Sequence, residues 1–349
     1  LLGAEDGAFV CDHFGVTAQG NFEGANILHV PKDRAAGENE DGRLGGLREM
    51  LREGRAKRPS PAIDDKVLAS WNGLMVSALS RGYQVLGEDR FLKAAERAGE
   101  FLLTRMMLDD ALLHSYHRSD SDRNRTSSRT PAFLDDYAEL ANGLLDLYEA
   151  SFGRRWLDGA ANLAERMIAD FYDEESGGFF FTSDKHKHLL MRTKPYHDGA
   201  TPSGNSTATK VLLRLARFLD LPDYRDKAQA VLLAKQEMMA QHPLAFPHLL
   251  CAADLFLGTP VEITIAGRRG RADTENLLSA VHSEYLPNRI LTLADPDGTA
   301  TVESADLPHL WAGKSMIEEA ATAYVCEDFS CRKPVTDGAA LAGLLSRRD

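Results

Sequence analysis

The stretch "LDDYAELANGLLDLYEASFGRRWLDGAANLAERMI" (residues 134–168) decides the fold, because related stretches occur at residues 70–102 and 202–236. Each copy predicts a helix of about five turns, a short turn and a second helix, since apolar residues recur at helical spacing. The first helices are strongly apolar, whereas the second helices mix in Glu, Arg and Lys. In every copy the second helix begins with an aromatic residue, namely Phe91, Trp156 or Tyr224.

Long connections between the copies distinguish this pattern from an ordinary helical solenoid. The aromatic residues recur after 65 and 68 positions, about twice the roughly 34-residue period of tetratricopeptide repeats. Strand-like sequence occupies residues 111–118, and residues 176–194 have the pattern of a β-hairpin. Helix pairs joined by such crossings predict a mainly α fold, an α/α toroid of the six-hairpin type, in which the first helix of each pair lines the inside.

The predicted toroid portion comprises residues 1–258, and a small α/β module follows at residues 259–349. About nine helices are expected before residue 258, whereas a closed ring of six hairpins has twelve, so the toroid is expected to be incomplete at its N-terminus. Short links between strands and helices favour a small parallel sheet in the module. Its predicted elements are strands at 261–267, 288–294 and 321–331 and helices at 274–286 and 337–345.

Composition and charge exclude several classes of partner. The chain has 349 residues, of which 44% are hydrophobic and 26% charged, as in ordinary globular proteins. Its formal net charge of −12 disfavours binding to nucleic acid or to an anionic membrane surface. No apolar run approaches the roughly 18 residues of a membrane-spanning helix, and no secretory signal begins the chain. We therefore predict a cytoplasmic protein with no nucleic-acid or membrane partner, and the N-terminal leucine suggests a fragment of a longer protein.

The cysteines indicate neither a disulfide framework nor a metal site. Cys326 and Cys331 are five positions apart, which matches neither the C-x-x-C redox motif nor a zinc knuckle. Cys11 and Cys251 stand alone, so we expect all four cysteines to be unpaired thiols in a reducing compartment. No cluster of His, Asp and Glu has metal-ligand spacing, and therefore neither a metal nor a cofactor is predicted.

Polar residues at the starts of the predicted inner helices form the candidate site. Alignment of the three copies places Trp71, Asp136 and Gly204 at equivalent positions. In a toroid all inner helices begin at the same mouth, so carboxylates, amides, hydroxyls and aromatic faces would converge there. Such groups bind a small, sugar-like ligand by hydrogen bonding and ring stacking. The predicted substrate-binding residues are Trp71, Asn72, Tyr137, Ser203 and Asn205.

Each of these residues also has an ordinary structural explanation. An aspartate ahead of an apolar helix, such as Asp136, is commonly an N-cap or a partner of the helix dipole. Asp198 and Gly199 form a common turn pair, and Trp71 on an inner helix is equally compatible with a core position. The coincidence of unusual polar residues at one level of three repeats favours a site.

Five motifs in the chain resemble those of a known family. They are "DDKVLASWNGLM", "FLDDYAELANGLLDLYEA", "GGFFFT", "DGATPSGNS" and "AYVCEDFSCRKPV". From Leu1 to about Leu345 the chain resembles the C-terminal portion of the spermatogenesis-associated protein 20 (thioredoxin-domain) family. The resemblance implies a toroid similar to N-acylglucosamine 2-epimerases and six-hairpin glycosidases. It also implies a thioredoxin-like domain upstream and a chain that begins inside the toroid.

Three functions stay open at this point. A glycosidase-like enzyme would use Asp136 and Asp198 as its two carboxyl groups. An epimerase-like enzyme needs a base beside the reacting carbon. Epimerases of the similar fold use paired histidines, and His248 is the best single candidate in this chain. The third function is a non-catalytic binding or scaffold module that works with the upstream thioredoxin-like domain. Sugar binding of some kind is favoured.

Overall fold

The computed structural model describes residues 1–32, 40–108, 111–117, 130–186, 189–297, 308–328 and 330–346. This part of the chain is mainly helical and divides into two compact units, Leu1–Asp64 and Asp65–Asp349. The predicted domain boundary after residue 258 falls within the second unit, and it stays a prediction. Within the described ranges, no helix combines the length and the apolar character needed to cross a membrane.

The first unit contains two helices, α1 (Gly3–His13) and α2 (Glu40–Ala56). Arg43 on α2 forms an ion pair with Asp6 on α1, at a distance of 2.6 Å. Both side chains are exposed, so water screens their attraction and the pair contributes little to stability. Apolar burial, as at Val10 on α1, stabilises the unit more effectively.

The second unit begins with hairpins of long helices. Its first elements, in chain order, are β1 (Val67–Leu68), α3 (Ala69–Leu86), α4 (Asp89–Arg105), β2 (Met107–Leu108), β3 (Ala111–Leu112), β4 (Ser115–Tyr116), α5 (Leu134–Ser151), α6 (Arg154–Phe171), α7 (Gly204–Leu219), α8 (Pro222–Gln241), a 3₁₀ turn (Pro243–Ala245) and α9 (Pro247–Leu257). Helix α3 packs against α4, α5 against α6, and α7 against α8. Helices α3, α5, α7 and α9 lie side by side as an inner layer. The predicted fold class, a mainly α protein with an α/α-toroid portion, is confirmed.

Helix α5 lies at the centre of the second unit, in contact with α3, α6 and α7. Every residue from Asp136 to Ser151 is buried. Leucines such as Leu140 and Leu144 are fully buried, and each stabilises the fold by about 1.5–3 kcal/mol. The outer helix α6 is buried along one face only, as its mixed composition predicts. The buried residues of α6 are Trp156, Leu157, Ala160, Leu163, Ala164, Met167 and Phe171.

The backbones of α3 and α5 approach each other closely at two glycines. A Cβ atom added to Gly73 would lie 2.5 Å from the carbonyl carbon of Glu139. A Cβ atom added to Gly143 would overlap the carbonyl oxygen of Gly73. Both positions require glycine because the atoms in the way belong to helical backbone, which cannot turn aside as a side chain can.

The strand predicted at residues 111–118 is shorter than expected and divided. It contains β3 and β4, and residue 118 lies outside the described residues. Strand β3 pairs antiparallel with β2, and β4 pairs antiparallel with β1. These short pairs connect the end of α4 and the start of α3 to the segment that leads into α5.

The predicted β-hairpin at residues 176–194 is wrong. The described part of this segment forms no strand pair, although the Phe181 N–H donates to the Thr193 carbonyl at 2.8 Å, and the isolated bridge of Phe179 is with Tyr172. Residues 187 and 188, at the predicted turn, lie outside the described residues. The backbone N–H and C=O of Phe179 are hydrogen-bonded by the side chain of Asn205, which takes the place of a hairpin partner.

The second unit ends with an α/β module whose sheet is mixed. Its elements are β5 (Val261–Ala266), α10 (Ala272–His282), β6 (Arg289–Ala294), α11 (Pro308–Trp311), β7 (Thr322–Glu327), β8 (Ser330–Cys331) and α12 (Gly338–Leu345). The strand order is β6-β5-β7-β8. Strands β5 and β6 are parallel as predicted, whereas β7 runs antiparallel to β5. The α/β module is therefore confirmed, but the expectation of a wholly parallel sheet is wrong.

Two of the cysteines are paired, contrary to expectation. Cys326 and Cys331 form a disulfide, whereas Cys11 and Cys251 are free. The predicted third strand at residues 321–331 is in fact a tight hairpin of β7 and β8, in which Cys326 lies directly opposite Cys331. Their Cα atoms are 4.0 Å apart in this hairpin, and that closeness explains how two cysteines five positions apart form the bond.

We expect Gly143→Ala to destabilise the protein by about 1–3 kcal/mol, because the added methyl group overlaps the backbone of α3. The matched control is Gly343→Ala in α12, where an added Cβ meets no atom within 4 Å. There the better helix propensity of alanine should stabilise by up to about 1 kcal/mol. Urea unfolding of both variants measures the difference, and equal effects would contradict the close helix contact.

Candidate functional site

The N-terminal ends of α3, α5, α7 and α9 meet at one level of the second unit, which we term the mouth. The Ser70 N–H at the start of α3 donates to Asp136 Oδ1 on α5, at 3.0 Å. The N–H groups of Ser203, before α7, and His248, in α9, both donate to Asp198, at 2.8 and 2.9 Å. The structure thus brings together residues that the sequence placed at three separate helix starts.

Asp136 is almost completely buried, and the protein occupies both of its carboxylate oxygens. The N–H groups of Ser70 and Phe133 donate to Oδ1 and Oδ2, and His114 Nδ1 lies 2.8 Å from Oδ2. The bond from Phe133 belongs to a capping box at the start of α5. The hydrogen bond to Asp136 raises the pKa of His114. Asp136 therefore joins α3, α5 and the segment that carries His114.

Asp198 has a similar joining role between α7 and α9. Its carboxylate accepts hydrogen bonds from the N–H groups of Ser203, His248 and Leu249. The last two residues belong to the first turn of α9, where free N–H groups and the helix dipole favour a negative charge. The Asp198-Gly199 pair therefore does more than form a turn.

The polar residues at the start of α7 anchor the preceding loop. Asn205 is fully buried, and its amide donates to the carbonyl groups of Phe179 and Pro195 at 2.8 and 2.9 Å. Ser203 caps α7 by accepting the N–H of Ser206. A Cβ atom on Gly204 would overlap the carboxylate of Asp135, so glycine permits the two helix starts to touch.

The remaining sequence-predicted binding residues differ in accessibility. Trp71, in the first turn of α3, is 65% exposed and its ring is open to a ligand. The Asn72 amide donates to Leu68 at 2.8 Å, within its own helix start. Tyr137 is buried and its hydroxyl accepts the N–H of Leu112 at 3.0 Å. Their roles in ligand binding stay predictions.

Sequence reasoning missed a stripe of polar residues along α5. The signal was present as alternating steps of four and three positions, which place side chains on one face of a helix. The stripe consists of Asp135, Glu139, Asn142, Asp146 and Glu149. A similar series on α7 contains Thr207, Lys210 and Arg214.

Two carboxyl groups near the mouth have raised pKa values. Burial raises the pKa of Glu139 to about 7, although the Thr207 hydroxyl donates to its carboxylate at 2.7 Å and opposes the shift. Burial and the charge of Asp136 raise the pKa of Asp135 to about 6. Asp135 Oδ1 is buried and has no hydrogen-bond partner among the described residues. Both groups therefore exchange a proton near neutral pH.

His248 and Lys210 share the electrostatic environment of this carboxyl pair. Burial, assisted by the charge of Lys210, lowers the pKa of His248 to about 4, so its imidazole is neutral at pH 7. His248 Nε2 is buried without a partner among the described residues. The charges of Lys210 and Asp198 also act on Glu139. Neutral imidazole and carboxyl groups of raised pKa are the groups that general acid–base chemistry uses.

A metal centre finds no support in the described ranges, where no group of three or more His, Cys, Asp or Glu residues is arranged to hold an ion. The carboxyl groups of Asp136 and Asp198 accept backbone N–H groups. A metal ligand of this kind would instead leave its oxygens free.

The chain has a clear relative among curated proteins, although no family model matches it. It is 36% identical to spermatogenesis-associated protein 20 of Homo sapiens over 375 residues. The match covers 99% of this chain and 47% of that protein. The resemblance inferred from the motifs is confirmed, and the chain spans about half the length of the curated relatives it matches.

Similar solved structures include two enzymes that act on sugars. The cellobiose 2-epimerase from Spirochaeta thermophila has a TM-score of 0.41 and 15% identity, covering 59% of this chain and 57% of that chain. The GH76 alpha-mannanase of Bacteroides thetaiotaomicron has a TM-score of 0.42 and 14% identity, covering 51% and 46%. Both TM-scores lie below 0.5, so neither similarity carries an argument about the activity of this chain.

We expect Asp198→Ala to destabilise the protein by at least about 1–3 kcal/mol, because it leaves buried N–H groups of α7 and α9 without an acceptor. Asp226→Ala, at an exposed position of α8, should stay within about 0.5 kcal/mol of the parent protein. Urea unfolding compares the two. A negligible effect of Asp198→Ala would show that the carboxylate does not join the helices.

Glu139→Gln should change how stability depends on pH. The folded-state pKa of about 7 lies above the ordinary 4.5, so the folded protein binds the proton more tightly. This contribution to stability is present below pH 4.5 and is lost as the pH rises through 7. Glutamine removes it, so the variant should gain up to about 3 kcal/mol relative to the parent between pH 4.5 and 7.5.

Urea unfolding at several pH values measures this relative gain. Glu237→Gln, on the exposed face of α8, is the matched control, and its difference from the parent should be flat across the same range. A flat difference for Glu139→Gln as well would mean that Glu139 is ionised in the folded protein at pH 5.

Proposed function

The chain is a member of the spermatogenesis-associated protein 20 family that spans about half the length of its curated relatives, and we propose that this portion binds a small, sugar-like ligand at the mouth. In this proposal Asp135 and Glu139 are the acid–base groups. The proposal extends to glycosidase-like or epimerase-like chemistry on that ligand.

One observation carries the proposal: the half-buried Asp135 and the buried Glu139, one helical turn apart, have pKa values of about 6 and about 7. A carboxyl group that is half-protonated at neutral pH both donates and accepts a proton efficiently. Burying such groups without a cation to pair them is unfavourable for folding. A folded protein that retains this arrangement on Asp135 and Glu139 is therefore a candidate for function at these residues.

The surrounding residues suit a polyhydroxylated ligand. Trp71 offers an exposed ring for stacking on the apolar face of a sugar. His248, with a neutral imidazole and an unpartnered Nε2, would donate to or accept from a hydroxyl group. Asp136 and Asp198 would act as positioning residues, because their oxygens hold the helix starts that carry the other groups.

A second candidate function is a non-catalytic binding or scaffold module. The favouring observation is that the two carboxylates selected from the sequence, Asp136 and Asp198, are occupied by backbone N–H groups. In this alternative the chain would act in the cytoplasm beside the thioredoxin-like domain that the resemblance places upstream. Trp71 and the polar mouth would then suffice for recognition.

The test is a thermal-shift screen against monosaccharides and disaccharides, followed by assays of turnover for every sugar that binds. A ligand at 100 times its Kd stabilises by about 2.7 kcal/mol. For a protein of this size that free energy raises Tm by several degrees, at roughly 2 °C or more per kcal/mol. We expect Glu139→Gln to retain the shift and to lose turnover, whereas Glu237→Gln should retain both.

The outcomes separate the two candidates. Binding with turnover that Glu139→Gln abolishes supports the enzyme. Binding without turnover by the parent protein supports the recognition module. A protein that melts cooperatively and responds to no sugar would contradict both versions of the sugar proposal.

A further inference from the structure

A cavity of about 660 Å³ lies between the inner helices and the α/β module. Its walls come from α3, α7, α9 and the segment that joins α10 to β6. The volume is within the range of about 300–1,000 Å³ that holds small molecules in proteins. The polar residues on which the argument below depends are Arg81, Gln84, Lys210, Cys251, His282 and Arg289.

Beside the cavity, two carboxylates are balanced by two guanidinium groups. Arg81 lies 2.8 Å from Asp146, and Arg214 lies 2.9 Å from Asp146 and 3.0 Å from Glu149. Burial acts to raise the pKa of Asp146, but the charges of Arg81 and Arg214 outweigh it, and the pKa lies below its ordinary value. The two acids thus form their ion pairs with these arginines, and two carboxylates face two guanidinium groups.

Two further cations in the wall of the cavity have no carboxylate of their own. Arg289 is 9% exposed, its Nη2 donates to Gln84 at 3.0 Å, and its Nε has no hydrogen-bond partner in the described ranges. Lys210 makes neither a hydrogen bond nor an ion pair with any described residue. Burial lowers the pKa of both side chains. The wall of the cavity thus carries two positive charges, those of Lys210 and Arg289, that form no ion pair with a described carboxylate.

The acidic residues in the described part of the cavity wall are Asp254 and Glu284. Asp254 is exposed and accepts a hydrogen bond from Asn288 at 2.6 Å. Glu284 is half-buried and lies on the segment after α10. Neither carboxylate lies within 4 Å of Lys210 or Arg289, so neither forms an ion pair with these cations.

We propose that this cavity binds a phosphoryl dianion, as free phosphate or as the phosphate group of a small ester. The two negative charges of the dianion balance the positive charges of Lys210 and Arg289. A planar guanidinium presents paired donors to phosphate oxygens, and an ammonium adds a point charge. His282 stands beside them with a neutral imidazole whose Nε2 has no partner among the described residues.

A carboxylate ligand fits the same wall less well, because its single negative charge balances only one of the two cations. The site uses neither Asp135 nor Glu139, so binding of phosphate at the cavity is measured separately from binding of a sugar at the mouth. The cavity is also larger than phosphate alone requires, which leaves room for the remainder of an ester.

The free thiol of Cys251 provides a direct probe, because it is exposed and lines the cavity. In a Cys11→Ser background, Cys251 is the single unpaired thiol. Its alkylation is timed in phosphate and in chloride at equal ionic strength, and calorimetry gives the Kd for phosphate. We expect phosphate to slow alkylation in a saturable way that chloride does not reproduce.

Lys210→Met retains the length of the side chain and removes its charge. We expect it to raise the Kd for phosphate about tenfold or more, the loss that one charged hydrogen bond predicts. Lys210→Arg should restore most of the affinity, and Lys93→Met, on the exposed face of α4, should leave it unchanged. Arg289 also donates a hydrogen bond to Gln84, so replacing Arg289 could unfold the protein. The comparison of Lys210→Met with Lys210→Arg is therefore the decisive one.

The same assay with glucose 6-phosphate assigns the source of the phosphoryl group. Tighter binding than phosphate supports an ester, and weaker binding supports free phosphate. Either result supports the site, whether or not any sugar binds at the mouth. Equal protection of Cys251 by phosphate and chloride, or a Kd that Lys210→Met leaves unchanged, overturns the proposal.

Discussion

The burial of α5 from Asp136 to Ser151 is the constraint on which the rest of the structure depends. This helix carries the leucines of the central core and also a stripe of polar side chains. Water cannot satisfy polar groups in that position, so neighbouring helices must supply partners or leave the groups neutral. The glycine contact between α3 and α5 makes the constraint stricter, because it brings the backbones together and leaves no room for solvent. The side chains of α3 and α7 that face α5 therefore have to supply hydrogen-bond or ion-pair partners for the polar stripe.

The two ends of the stripe are satisfied in different ways. Towards the C-terminal end, the buried side chains of Asp146 and Glu149 form ion pairs with Arg81 and Arg214. Near the mouth, Asp135 and Glu139 face hydroxyl and backbone groups, and burial raises their pKa values instead. This first end also connects α5 to the α/β module, because the Leu291 N–H of β6 donates a hydrogen bond to Glu149. Carboxyl groups of raised pKa that form no ion pair with a described residue make the second end suitable for proton transfer.

The polar entrance of α7 shows how one feature can fit two interpretations. Its glycine, serine and asparagine residues resemble a ligand-binding turn in sequence, yet Asn205 binds the backbone at Phe179 and Pro195. Asp198 likewise holds the start of α9. Such residues position a site without touching its ligand, because a shift of any inner helix would move the carboxyl pair on α5.

The amino-acid sequence by itself determined the helix hairpins, the inner and outer layers and the α/β module, because helical periodicity and repeats are properties of neighbouring residues. Only the tertiary structure decided which polar side chains are used internally and which stay available. Asp136 bonds Ser70 across 66 positions, and Asp198 bonds His248 across 50. The pairing of Cys326 with Cys331 likewise followed from the register of a hairpin. A pKa or a hydrogen bond depends on groups that are distant in sequence, so local patterns could propose these residues but could not assign their partners.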